Sequence, residues 1–64
     1  MAHKEIQVWR QGGWSRFIRF MPDAADDLIQ DTWNNFNRTE RCRGRLVEKD
    51  SDNTYVIDTK AAAA

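Results

Sequence analysis

The side chains of this chain that could do covalent chemistry are too few to form a catalytic group. His3 is the only histidine, and Cys42 is the only cysteine. Arginines on both sides of Cys42, in "RCRGR", would favour the reactive thiolate. However, no general base can be placed beside the thiol from the spacing, and the chain offers no second cysteine to resolve a disulfide. The sequence therefore predicts a non-catalytic protein in which Cys42 is a small, half-buried structural residue.

Two groups of carboxylates have a spacing that could serve a metal ion. Asp23, Asp27 and Asp31 recur every four residues and would share one side of a helix. The segment "DSDNTY" begins like a calcium loop at Asp50, but Tyr55 occupies the position that requires glycine, and no glutamate closes the loop. We interpret the first group as a solvated helix side and the second as a polar turn. The sequence predicts no metal and no cofactor.

Aromatic stacking and positive charge are the chemistry that the sequence does offer. The segment "VWRQGGWSRFIRF" (8–20) places two tryptophans, two phenylalanines and three arginines around one glycine pair. Aromatic residues and arginine are enriched at the centres of protein interfaces. The same residue types bind nucleic acid, where bases stack on the rings and arginines contact phosphates. Both interpretations require that these side chains lie on an exposed surface.

Charge is balanced in sum but uneven along the chain. Ten Lys and Arg residues match ten Asp and Glu residues, so the net charge is zero, which argues against strong non-specific attraction to nucleic acid or to an anionic membrane. Residues 1–20 hold four basic side chains and one acidic, whereas residues 21–40 hold five acidic and one basic. We therefore expect a folded molecule with a basic side and an acidic side.

The periodicity predicts an α+β fold in which an antiparallel four-stranded sheet carries one helix on one face, in the order β-β-α-β-β. Period-two alternation indicates a strand on each side of Gly12 and Gly13, which predict a hairpin turn. "RGRLVEK" and "NTYVIDT" predict two further strands joined by a turn at "DSDN". Asp23 is the predicted helix N-cap, and the helix is expected to end near Asn37. Its apolar stripe has helical spacing: Ala25, Leu28, Ile29, Thr32, Trp33 and Phe36.

Alternation also assigns the strand residues to faces. Ile6 and Val8 are expected beneath the helix, with Trp9 on the opposite face. In the second strand the more apolar set, Trp14, Ile18 and Phe20 together with Arg16, is assigned to the core. Phe17 and Arg19 are then expected on the helix-free face. The predicted partner-binding residues of the N-terminal hairpin are Trp9, Arg10, Arg16, Phe17 and Arg19.

These observations favour a small non-catalytic protein-interaction or accessory module, homodimeric through the helix-free sheet face. The alternative is nucleic-acid binding by the exposed aromatics of the hairpin, Trp9, Trp14 and Phe17, with its arginines, to which Arg43 and Arg45 could add. Residues 1–60 are expected to form one domain, with 61–64 a disordered tail or cloning remnant. A lone cysteine, with no signal peptide and no apolar run of about 20 residues, predicts a cytoplasmic protein without membrane contact. Small size without catalytic motifs suits a bacterial or phage-encoded accessory factor.

Overall fold

The computed structural model describes residues 2–62. They form a four-stranded antiparallel sheet with one helix packed on one face. The sheet order is β2-β1-β3-β4, so that β1 and β3 are central and β2 and β4 are the edges. The predicted α+β fold is confirmed. The elements in chain order are β1 (His3–Arg10), β2 (Gly13–Arg19), α1 (Asp26–Thr39), β3 (Gly44–Lys49) and β4 (Thr54–Lys60). Of the tail predicted at 61–64, the last two residues lie outside the described residues.

The β1–β2 hairpin turns one residue earlier than the glycine pair suggests. Gln11 and Gly12 form the turn, and both have positive φ, 53° and 79°. Such a two-residue turn with positive φ matches the twist of the two strands. Gly13 already belongs to β2, where it pairs with Arg10. Glycine is thus needed for its backbone freedom at position 12 and not at position 13.

A bulge in β2 changes which side chains face the helix. Ile6 pairs with Ile18, but the next residue of β1 pairs with Arg16, so Phe17 is an extra residue in β2. Phe17 packs edge-on against Phe36 of the helix, with ring centroids 5.2 Å apart. The prediction that Phe17 lies on the helix-free face is therefore wrong. Strict alternation cannot anticipate an inserted residue. Such a residue moves the side chains that precede it in the strand to the opposite face of the sheet.

The same bulge moves Trp14 and Arg16 out of the predicted core set. Trp14 pairs with Trp9, and Arg16 pairs with Gln7, so that both lie on the face away from the helix. The two tryptophan rings meet edge to face, with centroids 5.2 Å apart. A second bulge, at Ile57, interrupts the pairing of β4 with β3. Each edge strand thus contains one residue more than the stretch of central strand with which it pairs.

The helix begins later than the sequence indicated. Met21 to Ala24 form a tight turn, closed by a 2.9 Å hydrogen bond from the Ala24 N–H to the Met21 carbonyl. This turn contains Asp23, so the prediction of Asp23 as the N-cap is wrong. Ala25 is the N-cap and has no side-chain cap. Asp26 and Asp27 lie in the first helical turn, where their negative charges interact favourably with the positive end of the helix dipole. The helix ends at Thr39, two residues beyond the predicted end.

The core lies between one side of the helix and the central strands. Helix residues Ile29, Trp33 and Phe36 are buried, at spacings of four and three. Leu28 is 57% exposed, so its predicted place in the core is wrong. The side of the helix that contacts the sheet carries Ile29, Trp33 and Phe36, and Leu28 lies about 100° of helix rotation away from Ile29. Buried residues from the strands and the following loop complete the core: Ile6, Val8, Phe20 and Leu46.

Cys42 is half-buried and packs against the core, as the sequence indicated. The turn predicted at "DSDN" is confirmed between β3 and β4, where the Asp50 N–H donates a 2.9 Å hydrogen bond to the Asn53 carbonyl. Within residues 2–62, no helix combines the length and the apolar character that crossing a bilayer would need.

Candidate functional site

The helix-free face of the sheet is strongly basic, and we call it the basic face. Glu5, Gln7 and Trp9 of β1 alternate with Ile6 and Val8, which are buried beneath the helix. The strand pairings and the ring contacts bring basic residues of β2, β3 and the preceding loop onto the same face as these three side chains. The arginines and lysine of the basic face are Arg16, Arg19, Arg43, Arg45 and Lys49.

A compact group of two tryptophans and two arginines, the Trp–Arg cluster, occupies one end of this face. The Cζ atom of Arg43 lies 5.4 Å from the ring centroids of both Trp9 and Trp14. The Cζ atom of Arg45 lies 4.2 Å from the ring of Trp14. Guanidinium groups at such distances are attracted to the negative face of an indole ring and can stack on it. Trp9 remains 39% exposed.

A buried carboxylate lies beside the Trp–Arg cluster. Glu5 is 2% exposed although no helix covers this face. Its carboxylate accepts hydrogen bonds from Gln7 Nε2 at 2.8 Å and His3 Nε2 at 3.0 Å, and Arg16 Nε lies 3.7 Å away. The Gln7 Oε1 atom in turn accepts a 2.7 Å hydrogen bond from Arg45 Nε. The side chains of Arg45, Gln7 and Glu5 thus form one continuous hydrogen-bonded chain.

Burial and neighbouring groups shift the pKa values of Glu5 and Arg45, the two ionisable ends of this hydrogen-bonded chain of side chains. Burial raises the pKa of Glu5, but the hydrogen bonds from Gln7 and His3, with the charges of Lys49 and Arg16, outweigh it and hold that pKa below its ordinary value. Burial, together with the neighbouring charge of Arg43, lowers the pKa of Arg45, while Glu5 acts in the opposite sense. Glu5 is therefore ionised at neutral pH, and Arg45 stays a cation.

The acidic side chains are concentrated on the other side of the molecule. Asp26 and Asp27 lie in the first helical turn, and Asp31 is exposed one turn further on. Asp58 is directed to the helix, because its Oδ2 accepts a 2.9 Å hydrogen bond from Trp33 Nε1. The carboxylate of Glu5 on the basic face is hidden among cationic and amide partners. An approaching anion would meet cations on the basic face, whereas the helix side carries carboxylates together with Lys4, Arg38 and Lys60.

The structure brings together only part of the predicted partner-binding set. Trp9, Arg16 and Arg19 lie on the basic face. Arg10 is the last residue of β1 and is exposed, but alternation places it on the face opposite to Trp9. Phe17 packs on the helix side, as described above. The predicted set thus combines three residues of the basic face with two residues, Arg10 and Phe17, of the opposite face.

The predicted partner-binding set lacks four members of the site, namely Trp14, Arg43, Arg45 and Lys49. The nucleic-acid alternative includes Trp14, Arg43 and Arg45, although alternation places Trp14 in the core, and nothing in the sequence pattern indicates Lys49. The alternation of arginine in "RCRGR" could have shown that two of its arginines share a face. No local signal indicates that Glu5 would be buried on the face that no helix covers.

Among residues 2–62, no three His, Cys, Asp or Glu side chains gather closely enough to hold a metal ion. The same part of the chain forms no pocket, and the candidate site is an open surface. Comparison of the sequence with protein-family models and with curated proteins, and of the structure with solved structures, found no match.

Proposed function

We propose that this protein is a non-catalytic module that binds nucleic acid through the basic face. The observation that supports the proposal is the charge of this face: within residues 2–62, five arginine and lysine side chains share it with one carboxylate, and that carboxylate is buried. Contacts between such cations and phosphates provide most of the affinity of nucleic-acid-binding proteins. The proposal places the protein in the cytoplasm, since a lone cysteine fits a reducing compartment.

The charge of the basic face also bears on the homodimer that the sequence favoured. Two copies joined face to face would bring their arginines opposite one another, and like charges across an interface oppose association. Val47 on this face is already 0% exposed, and the apolar side chains that a second copy could still cover there include Trp9 and Val56. Their burial would be opposed by the arginines brought opposite one another. An anionic ligand fits this surface better than a second basic face does.

Charge reversal of Arg19 should weaken binding much more than the same change on the helix. Arg19 is exposed on the basic face, whereas Arg38 is exposed near the end of the helix. At low salt, Arg19→Glu should bind a labelled single-stranded oligonucleotide of about 16 nucleotides roughly tenfold more weakly, with a salt slope reduced by about one. Arg38→Glu, which changes the net charge equally, should stay within about twofold of wild type. Fluorescence anisotropy titrations at several salt concentrations measure both.

Two results would contradict this proposal. One is a wild type that binds no oligonucleotide at low salt. The other is an equal loss of affinity in Arg19→Glu and Arg38→Glu, which would mean that net charge matters and the basic face does not. Circular dichroism melts of both variants should match wild type, because both arginines are exposed.

A second candidate function, self-association, is favoured by the exposed edge strand β4. All residues from Thr54 to Thr59 are exposed, and three consecutive apolar side chains, Tyr55, Val56 and Ile57, are each at least 50% exposed. An edge strand of this kind presents unpaired backbone groups to another strand. If two β4 strands pair antiparallel about a two-fold axis at Val56, Tyr55 of each copy faces Ile57 of the other. No like charges then meet in the central pairs, and both basic faces lie on the same side of one sheet.

A lysine at the centre of β4 should abolish such a dimer. In Val56→Lys, two lysines would face each other across the two-fold axis, at a position that is half exposed and leaves the core intact. In sedimentation velocity at high micromolar concentration, we expect wild type at twice the 7.5 kDa of one chain and Val56→Lys at 7.5 kDa. Leu28→Lys, an equally exposed position on the helix, should sediment like wild type. A monomeric wild type would show that β4 does not pair.

A further inference from the structure

We infer that the Trp–Arg cluster is a base-stacking site, which makes the ligand of the basic face single-stranded nucleic acid with accessible bases. This inference rests on the proposed function and goes further, since phosphate contacts alone do not distinguish a single strand from a duplex. The cluster consists of Trp9, Trp14, Arg43 and Arg45, as defined above.

The cluster presents planar groups at the surface of the protein, since Trp9 is 39% exposed and Arg43 is exposed. Arg45 lies against Trp14, with its Cζ atom 4.2 Å from the ring centroid, and Arg43 lies near both tryptophans. A guanidinium group that stacks on an indole ring leaves its other side open to a further planar group. Bases that are not paired stack both on aromatic rings and on arginine planes. The bases of a duplex are stacked on one another and are not available to such a surface.

The hydrogen-bonded chain behind the cluster holds one of its planes in place. Gln7 accepts a hydrogen bond from the Arg45 Nε atom and donates one to Glu5, and Glu5 is 2% exposed. The side chain of Arg45 is thus ordered before a ligand binds, which lowers the entropic cost of binding. The backbone of Arg43 is also tied to β1, because its carbonyl accepts a 2.9 Å hydrogen bond from the Trp9 N–H.

Cations further along the same face can follow the phosphates of a strand whose bases occupy the cluster. Arg16 lies next to the cluster on β2, and Arg19 and Lys49 lie towards the other end of the face. The single carboxylate on this face is buried and hydrogen-bonded, so it does not repel the backbone of the ligand. The combination of a stacking surface with a line of cations is the arrangement that binds single strands with little sequence preference.

Three probes of equal phosphate number separate stacking from phosphate contact: oligothymidylate, an abasic oligodeoxynucleotide of the same length, and a blunt duplex with the same total number of phosphates. The wild-type protein should bind oligothymidylate at least about tenfold more tightly than the abasic strand or the duplex, since stacking of one base supplies that factor. Tryptophan fluorescence should be quenched by oligothymidylate and not by the abasic strand. Anisotropy and fluorescence titrations at one low salt concentration measure these differences.

The variants keep the charge of the protein unchanged. Arg43→Lys retains the cation but removes the plane, and Trp9→Leu removes an exposed ring. Each should reduce the affinity for oligothymidylate by about fivefold or more and leave the affinity for the abasic strand within twofold. Arg41→Lys, an exposed arginine outside the cluster, is the matched control and should bind all three probes like wild type.

The outcomes distinguish this inference from the proposed function. If none of the three probes binds, the proposed function itself is wrong, and the inference falls with it. If the abasic strand or the duplex binds as tightly as oligothymidylate, nucleic-acid binding stands and the stacking site is overturned. The same conclusion follows if Arg43→Lys binds oligothymidylate like wild type.

Discussion

Replacement of Trp33 by alanine is expected to leave the protein only marginally stable at room temperature. Trp33 is 2% exposed and stacks on Phe36 with ring centroids 5.4 Å apart and planes 10° from parallel. Its Nε1 donates a 2.9 Å hydrogen bond to Asp58 on β4. Removal of a buried tryptophan costs about 3–5 kcal/mol. A domain of this size has a free energy of unfolding of about 5 kcal/mol, so the substitution removes most or all of this stability.

Thermal and urea unfolding, followed by circular dichroism, measure this effect. Leu28→Ala is the matched control, since Leu28 lies on the same helix but is 57% exposed, and it should cost less than about 1 kcal/mol. Asp58→Ala removes the acceptor of this hydrogen bond and should cost about 1 kcal/mol. A Trp33→Ala protein that melts cooperatively within a few degrees of wild type would show that the helix does not pack on the sheet as described.

Replacement of Gly44 by valine is the second change expected to have a large effect. A Cβ atom at this position would lie 2.5 Å from Cε1 and 2.6 Å from Cζ of the Phe36 ring. Phe36 cannot move aside easily, because it is 2% exposed and packs against both Phe17 and Trp33. Forcing extra carbon atoms into a filled core strains side chains and backbone. We expect the free energy of unfolding to fall by about 3 kcal/mol.

Gly13→Val is the control for any general effect of replacing a strand glycine. Gly13 is also a strand residue, but a Cβ atom there would meet no atom within 4 Å. Its unfolding free energy should stay within about 0.5 kcal/mol of wild type. If Gly44→Val were as stable as Gly13→Val, the close contact between β3 and the helix would be disproved. Gly44→Ala combined with Phe36→Leu should be less destabilised than the sum of the two single variants, because the two residues are in contact.

The order and type of the structural elements could be predicted from the sequence because the signals are local. Alternation around Ile6 and Val8, the helical spacing from Ile29 to Phe36 and the turn residues 50–53 each act within a few neighbouring residues. The uneven charge along the chain was likewise visible without a structure. The helix start was less accurate, since Pro22 and Asp23 form a separate turn, and a turn residue resembles an N-cap in sequence.

The faces of the edge strands were decided only by the tertiary structure. Each edge strand must hydrogen-bond to a central strand while its side chains pack, and the bulges at Phe17 and Ile57 are part of the register that satisfies both requirements. No local pattern in the sequence shows that register. The bulge in β2 brings the partly exposed ring of Phe17 against Phe36 of the helix and brings Trp14 beside Trp9.

The candidate site depends on contacts between residues distant in sequence. Trp14 meets Arg43 and Arg45 only because β1 pairs with β2 on one side and with β3 on the other. Glu5 is 2% exposed, and its hydrogen-bond partners His3 and Gln7 lie on its own strand, whereas the cation 3.7 Å from its carboxylate, Arg16, comes from β2. The sequence by itself determined the elements and their charges, whereas strand order and register determined which charges and rings share a face, because those depend on cross-strand packing.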